Sequence, residues 1–330
     1  MTHLVWTVED RIRAFKEVRE FTKYNYKLRT KVYTEEDLEN LDIVSTDDYF
    51  KYEVCRDNEF NLMDKSVDVN KYVGTVEALK DCRDEYVAIL NFADGYTPGG
   101  LVLSGATAQE ESLCRSSNLY ESLIDPICKE KYYDYNSKRD EFRFGKSSDR
   151  IIYTKNVTFF RQDDFYAAWD DEGFTRQCDV ITCPAPMAGT ATDDEIRRRM
   201  RNIINVADDN RINTLILGCW GCGALGNSWE HFSELWFGVI RKLKPNCKIL
   251  FATYGNGTRL DVVFGSLHEG KIDPRTEDEA LEWMIDRCYG EDLPIEDDEE
   301  LDEDDIDIEG QQEMLNWIDE VYEQDHKGEI

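Results

Sequence analysis

Hydrophobic residues along this chain recur with two different periods, and the changes of period mark its elements. Between residues 8 and 23, Val8, Ile12, Phe15, Val18 and Phe21 fall at near-helical spacing among charged residues, which predicts an amphipathic helix. Residues 35 to 65 are polar and uneven and predict no element. From about residue 66 short apolar runs begin: VAILNFA from Val87, VTFF from Val157, DVITCPAP from Asp179, TLILGCWG from Thr214 and ILFATYG from Ile249. Between them lie helical patterns over Asp193 to Asp209 and Ser228 to Lys242. Strands alternating with helices predict an α/β fold, a mostly parallel sheet covered on both faces. No internal repeat interrupts this order.

Beyond residue 274 the pattern breaks down. From Arg275 to Ile330, 24 acidic residues face only Arg275, Arg287 and Lys327, a net of −21 out of −31 for the whole chain, which leaves −10 for the first 274 residues. Residues 291 to 309 hold 13 acidic residues and no basic one, so self-repulsion predicts an extended run. After it, Met314, Leu315, Ile318, Val321 and Tyr322 share one helical face and predict a short terminal helix. The expected organisation is an N-terminal helical extension over 1–65, an α/β domain over 66–274 and an acidic tail with a short helix over 275–330.

Composition adds exclusions. Hydrophobic residues at 41% and aromatics at 12% fill a large core, and 33% charged residues cover a soluble surface. The negative balance argues against binding nucleic acid through its phosphates, which needs Lys and Arg, and against docking on an anionic membrane. A polyanionic substrate would have to be held by local dipoles rather than by the overall field. No apolar run approaches the roughly 18 residues that span a bilayer, and MTHLVWTVEDRIR lacks the residue order of a signal peptide. An intracellular protein is expected, cytoplasmic or, in a eukaryote, nuclear. The ten cysteines are scattered, several of them in strand-like runs, as expected of reduced, buried thiols rather than a disulfide framework.

Two loops carry the candidate chemistry. The strand VAILNFA runs into DGYTPGG and then into a helix that opens near Thr107. In open α/β sheets ligands bind at the carboxyl ends of strands, where glycines admit close backbone approach. Pro98, Gly99, Gly100 and Gly105 make such a cradle, and a plain turn would use the same residues. Gln109, Glu110 and Glu111 fall in the first turns of the helix, where the dipole favours carboxylates for stability alone, yet that does not explain their pairing with the preceding glycines. About 120 residues later TLILG leads into CWGCGALGNS, with Gly218, Gly221, Gly223 and Gly226, and then into the helix from Ser228. Oriented backbone N–H groups there suit a diphosphate without any basic side chain. Two such loops on neighbouring parallel strands would clasp a nucleotide diphosphate.

Rival readings are weaker. Cys219 and Cys222 form a C-x-x-C before a helix, a spacing used by redox pairs and zinc sites, but Cys178 and Cys183, the other candidate half, lie within a strand-like run. His3, His231, His268 and His326 are isolated, without ligand spacing or a companion nucleophile. The acid or base should be a carboxylate, with Glu111 and Glu110 best placed.

At these residues the chain resembles the microbial type of poly(ADP-ribose) glycohydrolase, a branch of the macrodomain fold. The family signature is three glycines, six to eight residues, then Gln-Glu-Glu; here Gly99, Gly100 and Leu101 precede Gln109, Glu110 and Glu111 by seven residues. NFADGYTPGG, AQEESLCRSSNLY, GCWGCGALGN and RIRAFKEVREFTK also resemble family text, over roughly residues 9 to 270. The resemblance implies a three-layer α/β/α macrodomain-like mixed sheet and cleavage of ribose–ribose bonds in poly(ADP-ribose), or in ADP-ribosylated macromolecules, with ADP-ribose as product and neither metal nor cofactor. Carried over, Glu111 is the catalytic acid, Glu110 and Asn91 hold ribose hydroxyls, and Gln109 completes the signature. The backbone of Gly99, Gly100 and of the run Gly221, Cys222, Gly223, Ala224, Leu225 and Gly226 clasps the diphosphate, and Pro98, Leu101 and Asn227 are further substrate-binding candidates. Tyr254 and Asn256 are candidates for adenine. A monomer is expected. Leu101 replaces the third glycine, and Leu225 replaces the phenylalanine of the family's GVFGN, the residue that orients the terminal ribose. These departures keep two alternatives open: a non-catalytic reader of ADP-ribose, or a scaffold acting through the acidic tail.

Overall fold

A computed structural model describes residues 7–23, 28–41, 52–55, 74–142, 144–161, 175–243 and 245–252. The candidate adenine residues Tyr254 and Asn256, the acidic run and the terminal helix lie outside them.

The first helix, α1 (Val8–Thr22), is opened by a capping box in which Thr7 accepts from the Asp10 amide, satisfying N–H groups that a helix start leaves free. Then come β1 (Arg29–Tyr33), α2 (Glu35–Glu39), β2 (Tyr52–Cys55), α3 (Thr75–Asp81) and β3 (Val87–Phe92). Four helices follow in one stretch, α4 (Gln109–Ser116), α5 (Leu119–Leu123), α6 (Pro126–Cys128) and α7 (Asp134–Ser137), with a π turn over Lys129–Tyr133 between the last two. The remaining described elements are β4 (Ile151–Phe159), β5 (Arg176–Cys183), α8 (Asp193–Asp209), β6 (Thr214–Gly218), α9 (Trp229–Leu243) and β7 (Lys248–Ala252).

Among the described residues, seven strands form one sheet in the order β1-β4-β5-β3-β6-β7-β2. β3 pairs in parallel with both β5 and β6, β7 with both β6 and β2, whereas β1 and β4 run antiparallel at one edge. The sheet is therefore mixed, and its centre is the parallel β5-β3-β6 block. Alternation along β3 sends Ala88 and Leu90 to one face, against Met200 and Ile203 of α8 and Trp236 and Ile240 of α9. Val87 and Ile89 go to the other, with Phe15 of α1, Leu79 of α3 and Leu113 of α4. Helices on both faces of one sheet make the expected three-layer α/β/α arrangement, in which central strands are buried on both sides.

The chain before residue 66 is not purely helical: β1 and β2 come from it and form the two outer strands of the sheet. β1 reads RTKVY, with only Val32 and Tyr33 buried, so its apolar signal is too short to announce a strand. β4 likewise starts at Ile151 rather than Val157, because its bulge between Thr154 and Val157 breaks the alternation.

Candidate active site

The site lies where β3, β5 and β6 end. Register opposes Asn91 on β3 to Thr182 on β5, and the buried Asn91 donates from Nδ2 to Thr182 Oγ1 at 3.2 Å and to Glu110 Oε1 at 3.0 Å. Pairing of β3 with β6 ends at Ile89 opposite Ile216. Beyond it the Gln109 side chain takes the place of a strand neighbour: its Oε1 accepts from the Phe92 amide at 2.9 Å, and its Nε2 donates to the Leu90 carbonyl at 2.9 Å. The start of α4 is thereby fastened to the end of β3.

Between strand and helix the loop is shaped by its own residues. Asp94 Oδ1 accepts from the amides of Tyr96 and Thr97 at 2.6 and 3.0 Å. Thr97 to Gly100 then form a type II turn: the Gly100 amide reaches the Thr97 carbonyl at 3.1 Å, Pro98 precedes the corner and Gly99 has φ 71°. Gly100 has φ 58°, and a Cβ there would lie 2.4 Å from Glu111 Oε1, so backbone and carboxylate meet at a distance only glycine allows. Leu101 has φ −96°, a conformation open to any residue, and its side chain is 38% exposed. The third position of the glycine run thus needs no glycine in this loop.

The two glutamates differ. Glu110 is buried, and both its oxygens are occupied, Oε1 by Asn91 and Oε2 by the Asp94 amide at 2.7 Å. Glu111 is 6% exposed; its Oε1 accepts from the Leu101 amide at 2.9 Å, while its Oε2 is buried and has no hydrogen-bond partner among the described residues. Asn91 Oδ1 is in the same condition. Buried polar atoms are normally paired, so these two are the atoms with capacity to meet a ligand. Burial holds the Glu110 carboxyl well above the ordinary carboxylate range, and the nearby Asp94 and Glu111 add to this against the Asp94 amide and Asn91. Burial also raises Glu111, opposed by the Leu101 amide and the Arg115 cation.

The second loop follows β6, next to β3 in the sheet. Gly221 (φ 81°) lies against Ala185, and Asn227 ties the loop from within by donating to the carbonyls of Gly221 at 2.9 Å and Pro186 at 2.8 Å. Trp220 anchors it from below through Nε1 on the Cys183 carbonyl at 3.0 Å. Cys222, Gly226 and Asn227 give their amides to the loop's own carbonyls. The consecutive amides of Gly223, Ala224 and Leu225 donate to none of the described residues, and such a run of free N–H groups is a ready anion site. Leu225 packs half-buried on the core, and its carbonyl accepts from the Ala188 amide at 2.9 Å.

Cys219 and Cys222 do not look like ligands or nucleophiles. Burial pushes their thiols up to about 11 and about 12, and thiolate is the reactive form. Among the described residues no group of three or more His, Cys, Asp or Glu side chains is arranged to hold a metal, and no helix is long and apolar enough to cross a membrane. His231 pairs with Asp193 at 2.8 Å.

The structure therefore brings together the first loop, Gln109 to Glu111 and Asn91, with the second loop on the adjacent strand. Sequence reasoning missed Asp94, which shapes the turn and gives its amide to Glu110, and Thr182, which steadies Asn91. It also missed the segment 184–188 behind the second loop. Asp94 stands inside NFADGYTPGG and was readable as a turn former; Thr182 becomes visible only through the register of β3 and β5.

A mixed sheet between two helical layers, with a glycine cradle, a partly free carboxyl and an amide nest at the ends of adjacent strands, defines a macrodomain-like protein. Residues 15–162 match the family model described as Microbial-type PARG, catalytic domain. Solved structures agree. Poly(ADP-ribose) glycohydrolase from Thermomonospora curvata is similar with a TM-score of 0.59 at 25% identity, over 78% of this chain and 98% of that one. The same enzyme bound to the inhibitor ADP-HPD gives 0.58 at 25% identity, over 78% and 99%. The Deinococcus radiodurans enzyme in complex with ADP-ribose gives 0.57 at 25%, over 78% and 98%. No curated protein sequence matches the chain.

Proposed function

We propose that this protein hydrolyses ribose–ribose glycosidic bonds of poly(ADP-ribose) and releases ADP-ribose, with Glu111 as general acid and base. The observation that carries the reading is the asymmetry of Glu111: one oxygen is held by the Leu101 amide and the other is buried and free. Burial raises the Glu111 carboxyl, the direction in which a glycosidic acid must be shifted. The carboxyl gives its proton to the leaving ribose oxygen as the carbon–oxygen bond breaks and an oxocarbenium-like centre forms at the anomeric carbon. The carboxylate left behind takes a proton from the attacking water, which restores the acid.

The other residues bind and orient. Asn91 Oδ1 accepts a ribose hydroxyl. Glu110, held by Asn91 and the Asp94 amide, fixes the rim of the ribose pocket. The amides of Gly223 to Leu225 face the diphosphate, and Gly99 and Gly100 let the opposite backbone approach it. Held this way, a polyanion needs no basic side chain, which agrees with a negative chain. Leu101 suits its backbone conformation and leaves the loop intact, which favours turnover over a non-catalytic reader.

Purified protein incubated with labelled poly(ADP-ribose) should release free ADP-ribose. Glu111→Gln should lower kcat by at least about 10²-fold, the usual contribution of a positioned acid, and still bind ADP-ribose in calorimetry. Equal rates for the two proteins would refute the assignment, and binding without any wild-type turnover would favour the reader.

A further inference from the structure

The loop that holds Glu111 is itself held from outside the sheet. Two of its glycines, Gly99 and Gly105, have positive φ of 71° and 75° and bracket the segment containing Leu101. Both rest on α1, one directly and one through a single side chain. At Gly105 a Cβ would lie 2.9 Å from the Val8 carbonyl oxygen and 3.2 Å from Ile12 Cγ1, and Arg11 donates from Nε to the Gly105 carbonyl. At Gly99 a Cβ would lie 2.8 Å from the Tyr120 ring. That ring also meets α1: the Phe15 ring lies nearly perpendicular to it with centroids 4.9 Å apart and the Arg19 guanidinium lies 5.0 Å from its centroid, with Arg19 also paired to Glu121 at 3.2 Å.

We infer that α1 is a positioning element for the acid: Arg11 and Phe15 set the place of the 99–105 loop, and with it the Leu101 amide that holds Glu111. This rests on the proposed role of Glu111. Neither residue reaches the free Oε2, so both act through the loop. Packing at a glycine leaves no room for a compensating side chain, so a change on α1 is transmitted to the loop backbone. Loss of the Arg11 tether loosens the Gly105 end of the segment. The Leu101 amide then spends part of its time off Glu111, and the orientation of the acid is lost while the diphosphate nest on the other loop is untouched.

The sign of the pH effect follows. The Leu101 amide lowers the pKa of Glu111, so weakening that bond raises it. An acid that must be protonated then remains active to higher pH, with a lower plateau rate.

The test uses the full chain with Arg11→Ala, Arg11→Lys and, at the buried position, Phe15→Leu. Arg11→Ala should lower kcat about tenfold or more with KM for polymer nearly unchanged, move the alkaline limb of the rate profile to higher pH, and speed hydrogen exchange at the Leu101 amide. Arg11→Lys, which keeps a donor, should recover part of the rate, and Phe15→Leu should give a smaller change in the same direction. Wild-type kcat, an unmoved limb and unchanged Leu101 exchange in Arg11→Ala would overturn the inference. If the wild type does not turn over polymer, the functional reading fails by itself; Leu101 exchange and the titration of Glu111 followed by NMR still decide whether α1 holds the loop.

Discussion

Gly100→Ala is the most direct probe of the geometry that holds the acid. A Cβ at Gly100 would lie 2.4 Å from Glu111 Oε1, where ordinary contact begins about 1 Å further out. Either the carboxylate or the loop must move by that amount. The backbone adds to the strain, because φ of 58° places an L side chain in the left-handed region at a cost of about 1–2 kcal/mol. Displacement also breaks the Leu101 amide to Glu111 bond at 2.9 Å, which leaves a donor short of its partner at about 1–3 kcal/mol. The total of about 3 kcal/mol corresponds to a drop in Tm of roughly 6–12 °C for a domain of this size. A 1 Å misplacement of a catalytic group costs about 10²-fold in rate, so kcat on polymer should fall by that factor even at temperatures where the variant is fully folded. Gly223→Ala serves as the control, since a Cβ there meets nothing within 4 Å; its Tm should match wild type. Parallel melting curves and initial rates decide the matter. Gly100→Ala with wild-type kcat and Tm would mean that the backbone at residue 100 does not abut the acid.

Two other substitutions test neighbouring parts of the site. Leu101→Gly should keep kcat within about twofold and lower stability by about 0.5–1 kcal/mol, because φ of −96° gives glycine nothing to relieve and adds freedom to the unfolded chain; a large gain in rate would show that the leucine obstructs the site. Glu110→Gln should raise Tm at alkaline pH. The folded-state pKa of Glu110 lies above its unfolded value, so its contribution to stability is full below the unfolded pKa and is lost as pH rises through the folded one. The Tm difference between Glu110→Gln and wild type should therefore widen in a series from about pH 5 to 9, and a constant difference would refute the assignment.

Much of the site was readable along the chain because its parts are local. The glycines and the Gln-Glu-Glu run lie within a dozen residues of each other, and α8 spans Asp193–Asp209 as its periodicity predicts. The proximity of the two glycine loops followed from placing them after parallel strands, and β3 does pair with β6. What could not be read is what depends on long-range pairing. The sheet order, the antiparallel edge and the Thr182 contact follow from register, which no local pattern encodes. Nor does any local pattern separate Glu110 from Glu111, which only the family resemblance distinguished. They are adjacent and of one type, and only their different directions around α4 tie one to β3 and leave the other with a free oxygen. The expected helical character of residues 1–65 missed both outer strands, whose apolar content is too small to register.

Gln109 and Glu110 attach α4 to β3, whereas the Glu111 side chain, among the described residues, is held by one hydrogen bond to a loop amide. With Glu111 in its proposed role, the fold and the chemistry are written in different letters of the same triplet. On that reading a single-codon change at the third letter removes the acid and leaves the hydrogen bonds that fasten α4 to β3 in place.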